Sequence, residues 1–414
     1  MRRLFLTGAA LSGLVLAPAA AGWTKLTPDS LQNIVDPGVL VLPNGTELIA
    51  YREPVAGTFK VIRGGSTATL VSGRPIVGDG VLAALPGSAI ALTFSDDQGV
   101  VRFMSSDGGA SWSGPAGTGS HDIGDVQAGA ARPDGTMLFS QDGTGFVNVF
   151  QGGASAHNVF PHCCGYAESL AVDSTGLAQI AFWSNATGQT DFLYGTLDGS
   201  GALSGSLGNL GSGQTIPRDN RVPLVADSAG NTYAGFSQGY PTSTSFVVRT
   251  FRGGAVVHTV TLAKGSFSGA DPLMALSTDG ANRVWAVWTR QGAVWAARSR
   301  SGGAHFGAAV HVALPGSGYQ LEAGARPDGS VDAVVNTGSN LQLQRLLPGL
   351  TVVGSRSSAR VLDDGFPVVG ATLKGGGKTL HSNGQGRASL VGLRPHAALS
   401  VSASGYTPAG FRVP

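Results

Sequence analysis

The chain of 414 residues is poor in charged side chains and has no long stretch that favours a helix. Charged residues make up 13% of the sequence, where about 25% is usual for soluble domains. Beyond residue 22, glycine and proline interrupt every run of helix-favouring residues, so folds built on long helices are excluded. Glycine is plentiful, with 64 residues, roughly twice the usual share of about 7%. This composition is typical of turns and pleated strands, and we expect an all-β fold.

A basic excess is also lacking once the N-terminal segment is set aside. Residues 1–21 begin with Met1-Arg2-Arg3, continue with an apolar run from Leu4 to Leu16 and end in three alanines, which is typical of a secretory signal peptide. Removing Arg2 and Arg3 from the 27 basic residues leaves 25, against 25 acidic ones. Proteins that bind nucleic acids or anionic membranes usually carry a basic excess. We therefore expect a secreted, extracellular monomer that binds no nucleic acid and has no membrane span.

Glycine-marked turns recur along the chain with a period near 47 residues. The glycines of the first turn are spaced 42, 48, 41, 54, 50 and 49 residues apart: Gly45, Gly87, Gly135, Gly176, Gly230, Gly280 and Gly329. A second turn, built on a glycine pair such as Gly253-Gly254, follows five of them. A fixed period of this length indicates a repeat architecture, and two turns per period indicate several short strands per repeat.

The clearest repeat runs from Arg221 to Thr261 and predicts four antiparallel strands. Its second and third strands are predicted at 231–236 and 246–251, and corresponding pairs can be placed in all seven repeats. A single twisted sheet cannot bury both faces, so successive sheets must stack. The sequence therefore predicts a β-propeller over residues 22–357, with seven blades favoured over six or eight. The alternative, a pair of β-sandwich domains, lacks the longer period.

One turn carries a family resemblance. Ser105-Ser106-Asp107-Gly108-Gly109-Ala110-Ser111-Trp112 has the form Ser-x-Asp-x-Gly-x-Ser-Trp and resembles the Asp-box, or bacterial neuraminidase repeat, of sialidase-like propellers. The resemblance implies a structural role for Ser105, Asp107, Gly109 and Trp112, away from any active site. Residues 299–306 are similar to a degraded copy, with Ser301 in place of the aspartate and Phe306 in place of the tryptophan.

The last 57 residues, 358–414, follow a different pattern. A Pro-Val-Val-Gly-Ala segment at 367–371, an Asn-Gly-Gln-Gly turn at 383–386 and a Gly-Tyr pair at 405–406 make this part similar to a carboxypeptidase-regulatory-like β-sandwich module. Such modules usually serve as adhesive or spacer units on secreted proteins.

Sialidase chemistry would need three arginines, a tyrosine nucleophile and acidic partners. In this chain Tyr51-Arg52-Glu53-Pro54 stands where the family has Arg-Ile-Pro, and Arg221 and Arg249 are the candidates for the other two arginines. No tyrosine has a recognisable nucleophile context, and the chain holds four glutamates. We name no catalytic residue and expect neither metal nor cofactor.

A ligand-binding site is predicted at the mouth of the central channel, where the innermost strands begin. Polar side chains near those starts come from successive repeats, and two tyrosines offer stacking surfaces: Asp125, Glu168, Arg221, Asp271, Glu322, Tyr166 and Tyr319. A carbohydrate or a cell-surface protein would be the ligand. The alternative interpretation treats these residues as solvated loops around a water-filled funnel.

The two cysteines, Cys163 and Cys164, are adjacent. In an exported protein each has only the other as an intramolecular partner, so we predict a vicinal disulfide that makes the loop rigid. Reduced thiols, intermolecular bonds and a soft-metal site with His162 are the alternatives.

The sequence therefore predicts a class of function and no particular ligand. A non-enzymatic propeller that binds a ligand at its channel is the first hypothesis. A glycoside hydrolase, sialidase-like in kind, or a polysaccharide lyase is the second, and a purely architectural role is the third.

Overall fold

The computed structural model describes residues 22–28, 35–53, 55–76, 79–97, 99–117, 125–143, 146–152, 156–162, 164–186, 188, 190–214, 221–240, 242–265, 267, 272–316 and 318–414. These residues form two compact units. The larger unit holds the described residues up to Gly349 together with Asp363–Phe366. The smaller unit holds Leu350–Leu362 and Pro367–Pro414.

The larger unit begins with a short strand, β1 (Thr24–Lys25), and continues with four-stranded antiparallel sheets. Sheet 1 consists of β2 (Val35–Val41), β3 (Glu47–Glu53), β4 (Thr58–Arg63) and β5 (Ser66–Val71). Sheet 2 consists of β6 (Val81–Ala84), β7 (Ile90–Asp96), β8 (Gly99–Ser105) and β9 (Ser113–Gly117). Sheet 3 consists of β10 (Asp125–Ala131), β11 (Met137–Gly143), β12 (Phe146–Gln151) and β13 (His157–Phe160).

The next three sheets repeat the same meander. Sheet 4 consists of β14 (Gly165–Val172), β15 (Ala178–Ser184), β16 (Asp191–Leu197) and β17 (Gly208–Ser212). Sheet 5 consists of β18 (Leu224–Ala226), β19 (Asn231–Gln238), β20 (Ser245–Arg252) and β21 (Ala255–Lys264). Sheet 6 consists of β22 (Met274–Thr278), β23 (Val284–Arg290), β24 (Ala293–Ser299) and β25 (Val310–Ala313).

Sheet 7 joins the two ends of the larger unit. It consists of β26 (Gln320–Ala325), β27 (Val331–Asn336) and β28 (Leu341–Leu346), with β1 as its fourth strand. Thr24 pairs with Leu343 and Lys25 with Gln342, while Trp23 Nε1 donates a hydrogen bond to the carbonyl of Ala313 at 2.7 Å. The N-terminal strand therefore completes the sheet formed last in the sequence.

The first strands of the sheets are neighbours in sequence order. Each first strand lies against the first strand of the sheets before and after it, and β26 lies against β2, so the circle of contacts closes. Apolar clusters fill the spaces between successive sheets, for example Leu48, Phe59 and Phe94 between sheets 1 and 2. Because both faces of each sheet are covered, strands such as β7 are buried along their whole length. The predicted all-β propeller architecture, built of four-stranded antiparallel sheets, is confirmed.

The turn that resembles an Asp-box is held together by its own side chains. Asp107 Oδ1 accepts hydrogen bonds from Ser105 Oγ at 2.8 Å and from the Ser111 backbone at 2.9 Å, and Asp107 Oδ2 accepts one from Ser111 Oγ at 2.6 Å. These bonds hold the pKa of Asp107 well below its usual range. Gly109 has a φ of +83°, and a Cβ there would lie 2.1 Å from Leu48 Cδ2, so the turn packs closely on sheet 1.

Two further antiparallel sheets share one core, and all of their residues except Asp363 and Phe366 belong to the smaller unit. The first comprises β29 (Thr351–Gly354), β30 (Ser358–Asp363), β31 (Phe366–Pro367) and β34 (Arg387–Ser389); the second comprises β32 (Thr372–Gly375), β33 (Lys378–His381), β35 (Ala398–Ser402) and β36 (Ala409–Arg412). Val361, Ala388, Leu373 and Val401, from both sheets, share a buried cluster. In the described ranges the one helical segment is the 3-10 turn Pro86–Ser88, and no helix there is long and apolar enough to cross a membrane.

Candidate functional site

A cavity of about 140 Å³ lies where the first strands of all seven sheets meet. Apolar residues such as Val81, Leu170 and Met274 line it, although more of its wall is polar than apolar. Among the described lining residues, Arg221 and Glu322 carry charge. Two of the seven residues predicted for a channel site thus lie on one cavity.

Three of the first strands contain a β-bulge or similar shift of register near their N-terminal ends. The ladder shifts between Val35 and Gly38 in β2, between Val126 and Ala128 in β10, and between Tyr166 and Ser169 in β14. A bulge changes the direction in which the following side chains point. In β14 the bulge contains Ala167, with a φ of +56°, and Glu168, which is fully buried.

Two arginines meet one aspartate beside this cavity. Asp79 Oδ2 lies 3.5 Å from Arg221 Nη2, and Asp79 Oδ1 lies 3.9 Å from Arg52 Nη2. Arg52 Nη1 also donates a hydrogen bond to the carbonyl of Ile76 at 3.1 Å. All three side chains are largely buried, with exposed fractions of 14% for Arg52, 18% for Arg221 and 5% for Asp79. Burial strengthens such ion pairs and fixes the direction of the guanidinium groups.

Glu322 completes this charged group. Its pKa is raised from 4.5 to about 7, mainly by burial, with an opposing contribution from Arg221 and a smaller raising contribution from Asp79. Near neutral pH the Glu322 carboxyl therefore holds its proton far more readily than an exposed glutamate does. A carboxyl in this state both donates and accepts hydrogen bonds, which suits it to polar ligands or to proton transfer.

The other predicted residues occupy different environments. Tyr166 pairs across the ladder with Trp183, and their rings lie 4.6 Å apart. Tyr319 is 55% exposed and lies over Gly338, whose Cβ would be 2.6 Å from the tyrosine ring. Asp125 is the first residue of β10, but its side chain lies outside the described residues, as does Asp271 altogether. Cys163 is likewise outside them, so the vicinal disulfide with Cys164 stays a prediction.

The arginines considered for a sialidase clamp separate into two groups. Arg52 and Arg221 converge on Asp79. Arg249, in the third strand of sheet 5, instead packs its guanidinium 5.3 Å from the ring centre of Phe236, and burial lowers its pKa. A three-arginine clamp that includes Arg249 therefore has no support in this geometry.

Asp79 is not among the residues predicted for the site, although its position in the repeat could have indicated it. It lies two residues before β6, just as Arg221 lies three residues before β18. Its backbone N–H donates to the carbonyl of Val126 at 2.9 Å, which ties it to the next first strand. The same position in the repeat that indicated Arg221 could have indicated Asp79.

The sequence matches no protein-family model and no curated protein. Solved structures with a similar arrangement include virginiamycin B lyase from Staphylococcus aureus with quinupristin, at 11% identity and a TM-score of 0.49, covering 78% of this chain and 97% of that one. A Hadza microbial sialidase has 11% identity and a TM-score of 0.46, with coverage of 78% and 68%. YCF48 bound to D1 peptide has 16% identity and a TM-score of 0.46, with coverage of 82% and 100%. Because identity and scores are this low, the fold assignment rests on the strand pairings described above.

Proposed function

We propose that the protein is a secreted, non-enzymatic β-propeller that binds a carbohydrate or a protein ligand at the central channel. The observation that carries this proposal is the meeting of Arg52, Arg221 and Asp79 beside Glu322. Guanidinium groups donate to hydroxyl and carboxylate oxygens, and a carboxyl accepts hydrogen bonds and, when it holds its proton, also donates one. A sugar unit, or a polar side chain of a partner protein, has the groups that satisfy such a set.

We infer that the seven sheets are the seven blades of one wheel, and that the smaller unit is the β-sandwich expected from its sequence pattern. Closure of the first-strand contacts between β26 and β2 supports the first inference. The shared core of the two small sheets supports the second. In this proposal the sandwich serves as a spacer or adhesive module on an exported protein.

Binding to a glycan array and to candidate surface proteins tests the proposal. Arg221→Met removes one guanidinium but keeps most of the side-chain volume, and we expect it to weaken binding at least tenfold, about 1.4 kcal/mol. Arg283→Met is the matched control, because Arg283 also pairs with a buried aspartate, Asp279, but away from the channel. Equal binding by wild type and Arg221→Met would contradict the proposal.

A glycoside hydrolase is the second candidate, and Glu322 is the observation that favours it. A carboxyl with a pKa of about 7 suits a general acid, and glycosidases need a second carboxylate across the cleft. In this chain the neighbouring carboxylate, Asp79, is held by two arginines. Release of chromophore from any of a panel of aryl glycosides, including sialosides, and its loss in Glu322→Gln would establish the enzyme.

A further inference from the structure

The smaller unit and the remainder of the chain carry opposite charge. Residues 350–362 and 367–414 of the smaller unit contain five arginines and two lysines but no aspartate or glutamate: Arg356, Arg360, Arg387, Arg394, Arg412, Lys374 and Lys378. Of the 25 basic residues beyond the N-terminal segment, the other 18 lie elsewhere, together with all 25 acidic residues. The formal charge is therefore +7 for the smaller unit and −7 for the remainder, and the balance of the whole chain conceals this asymmetry.

All seven basic residues of the smaller unit are exposed. Two of them donate to backbone carbonyls, Arg360 Nε to that of Gln385 at 3.3 Å and Lys378 Nζ to that of Val391 at 3.0 Å. Among the described residues, no ion pair involves any of the seven. Their charge is therefore available to a partner.

The two aspartates that interrupt this part of the sequence do not offset the charge. Asp363 and Asp364 belong to the larger unit and are 1% and 3% exposed. Asp363 pairs with Arg298, and Asp364 contacts His305, both of the larger unit. The exposed cations of the smaller unit thus have no carboxylate of their own unit beside them.

Two arginines lie side by side on the outer face of the sheet that contains β30 and β34. Arg360 and Arg387 are directly opposite each other in this ladder. Their neighbours Ala359, Val361 and Ala388 are buried, so the alternation along the strands directs both arginines outward. Like charges at opposed positions destabilise a ladder. A bound anion would remove this repulsion.

The other sheet of the smaller unit carries cations on its own outer face. Lys374 in β32 pairs with Ser400 in β35, and Arg412 in β36 pairs with Ala398 in β35. All four residues are exposed, whereas Leu399, between Ala398 and Ser400, is buried in the core. Because the side chains between the two cations are small, an extended chain has room to lie against this face.

We propose that the smaller unit binds an acidic polysaccharide, a linear chain that carries carboxylate or sulfate groups. The inference rests on the adhesive role proposed for this unit and is independent of the ligand of the channel. Five of the seven cations are arginines, whose planar fork matches oxyanion groups in geometry and charge. Because the cations are exposed, the attraction is weakened by salt.

The placement of the cations favours a flexible polysaccharide over a membrane or a nucleic acid. The two sheets present their cations on different outer faces, so a flat membrane or a rigid duplex meets one of them, whereas a flexible chain can follow both. Single-stranded nucleic acids are held by stacking on aromatic side chains. Tyr406 and Phe411, which are the Phe, Tyr and Trp residues of this unit, pack against its core.

Binding of the full chain to immobilised polysaccharides tests the proposal. Polygalacturonate carries carboxylates, dextran sulfate carries sulfates, and dextran is neutral. We expect saturable binding to one or both charged polymers and none to dextran, with an affinity that falls as sodium chloride is raised from about 50 to about 500 mM. The polymer bound more tightly identifies the anionic group. No saturable binding to either charged polymer at about 50 mM salt overturns the proposal, as does tighter binding to phosphatidylglycerol vesicles or to DNA at the same salt concentration.

Paired substitutions locate the binding surface. Arg360→Gln/Arg387→Gln and Lys374→Gln/Arg412→Gln should each weaken binding at least tenfold and make it less dependent on salt. Because Arg360 and Arg387 repel each other, their double variant should bind weakly although its unfolding midpoint is no lower than that of wild type. Undiminished binding in both double variants overturns the proposal.

Two controls separate this surface from the rest of the molecule. Arg252→Gln/Lys264→Gln also removes two exposed cations, but from sheet 5 of the larger unit, and it should bind as wild type does. A loss in this control equal to that in the smaller unit's variants overturns the proposal, because net charge alone would then explain the binding. Arg221→Met, in the channel, should leave polysaccharide binding unchanged. Loss of binding in Arg221→Met alone would assign these polymers to the channel and overturn the inference while supporting the proposed function.

Discussion

Asp364 Oδ2 accepts a hydrogen bond from Ser301 Oγ at 3.0 Å, across 63 residues of sequence. Ser301 occupies the position that Asp107 has in the intact turn. Oδ2 of Asp364 also accepts from the backbone of Arg300 at 2.5 Å, and its other oxygen contacts His305 Nδ1. A carboxylate that the turn at 299–306 lacks in its own sequence is thus supplied by the segment Asp363–Phe366.

Replacing Asp364 by alanine should destabilise the protein. Asp364 is 3% exposed, and its loss leaves several donors of the turn without their acceptor, so we expect the free energy of unfolding to fall by about 2 kcal/mol. Adding Ser301→Asp to Asp364→Ala should restore part of the loss, because it returns the carboxylate to the position of Asp107. Ser301→Asp alone should be destabilising, since two carboxylates would then adjoin. Denaturant unfolding of the three variants measures these differences, and a double variant no more stable than Asp364→Ala would contradict the explanation.

Stability should decrease as the pH rises from about 4.5 to about 7. The pKa values of Glu47 and Glu322 are both raised from 4.5 to about 7 in the folded protein. Such a group is protonated in both states at low pH. Between the two pKa values the unfolded state ionises while the folded state keeps its proton, so stability is lost across this range and the loss is complete above the folded pKa. Glu47→Gln/Glu322→Gln should therefore gain stability relative to wild type at about pH 8 and not at about pH 4. Each single variant should show about half of the gain, because the two sites share no residue.

Deleting residues 22–27 should weaken the larger unit. The deletion removes the pairing of β1 with β28 and the bonds from Leu26 N to the Leu341 carbonyl and from Leu341 N to Thr27 Oγ1, both 2.9 Å long. At about 1 kcal/mol for each lost hydrogen bond, we expect a loss of about 3 kcal/mol. Thr24→Ala is the control, since the Thr24 side chain is exposed and its removal should leave the unfolding midpoint unchanged. A deletion variant as stable as wild type would show that β1 does not contribute to closure.

The predicted disulfide between Cys163 and Cys164 has a direct test. Alkylation of the unfolded, unreduced protein should add no mass, and alkylation after reduction should add two groups. Addition of two groups before reduction would show free thiols. A dimer that disappears on reduction would show intermolecular bonds.

Strands that are short apolar segments next to turns could be predicted from the sequence. The second strand of sheet 5 was predicted at 231–236 and is observed as Asn231–Gln238, and the third was predicted at 246–251 and is observed as Ser245–Arg252. Each of these strands is an apolar segment next to a turn, so its own residues define it. Arg221 and Glu322 could be predicted for the same reason, from their position at the start of a repeat.

The features that were not predicted depend on contacts between residues that are far apart in the sequence. The strand β1 has two residues with exposed side chains, no apolar alternation, and a partner strand more than 300 residues away. The role of Asp364 requires Ser301 and His305 to be close in space, and the group around Asp79 requires three different sheets to meet. Spacing along the sequence contains no information on such contacts.

The closing strand β1 has a consequence for the order of folding. It is translated before every other part of sheet 7, yet its partner β28 ends at Leu346. The closed circle of sheets therefore cannot be completed from its N-terminus onward during synthesis, and sheet 1 lacks one of its two neighbours until sheet 7 has been made. Joining the two ends requires closure of a very long loop, whose entropic cost is met in a late step.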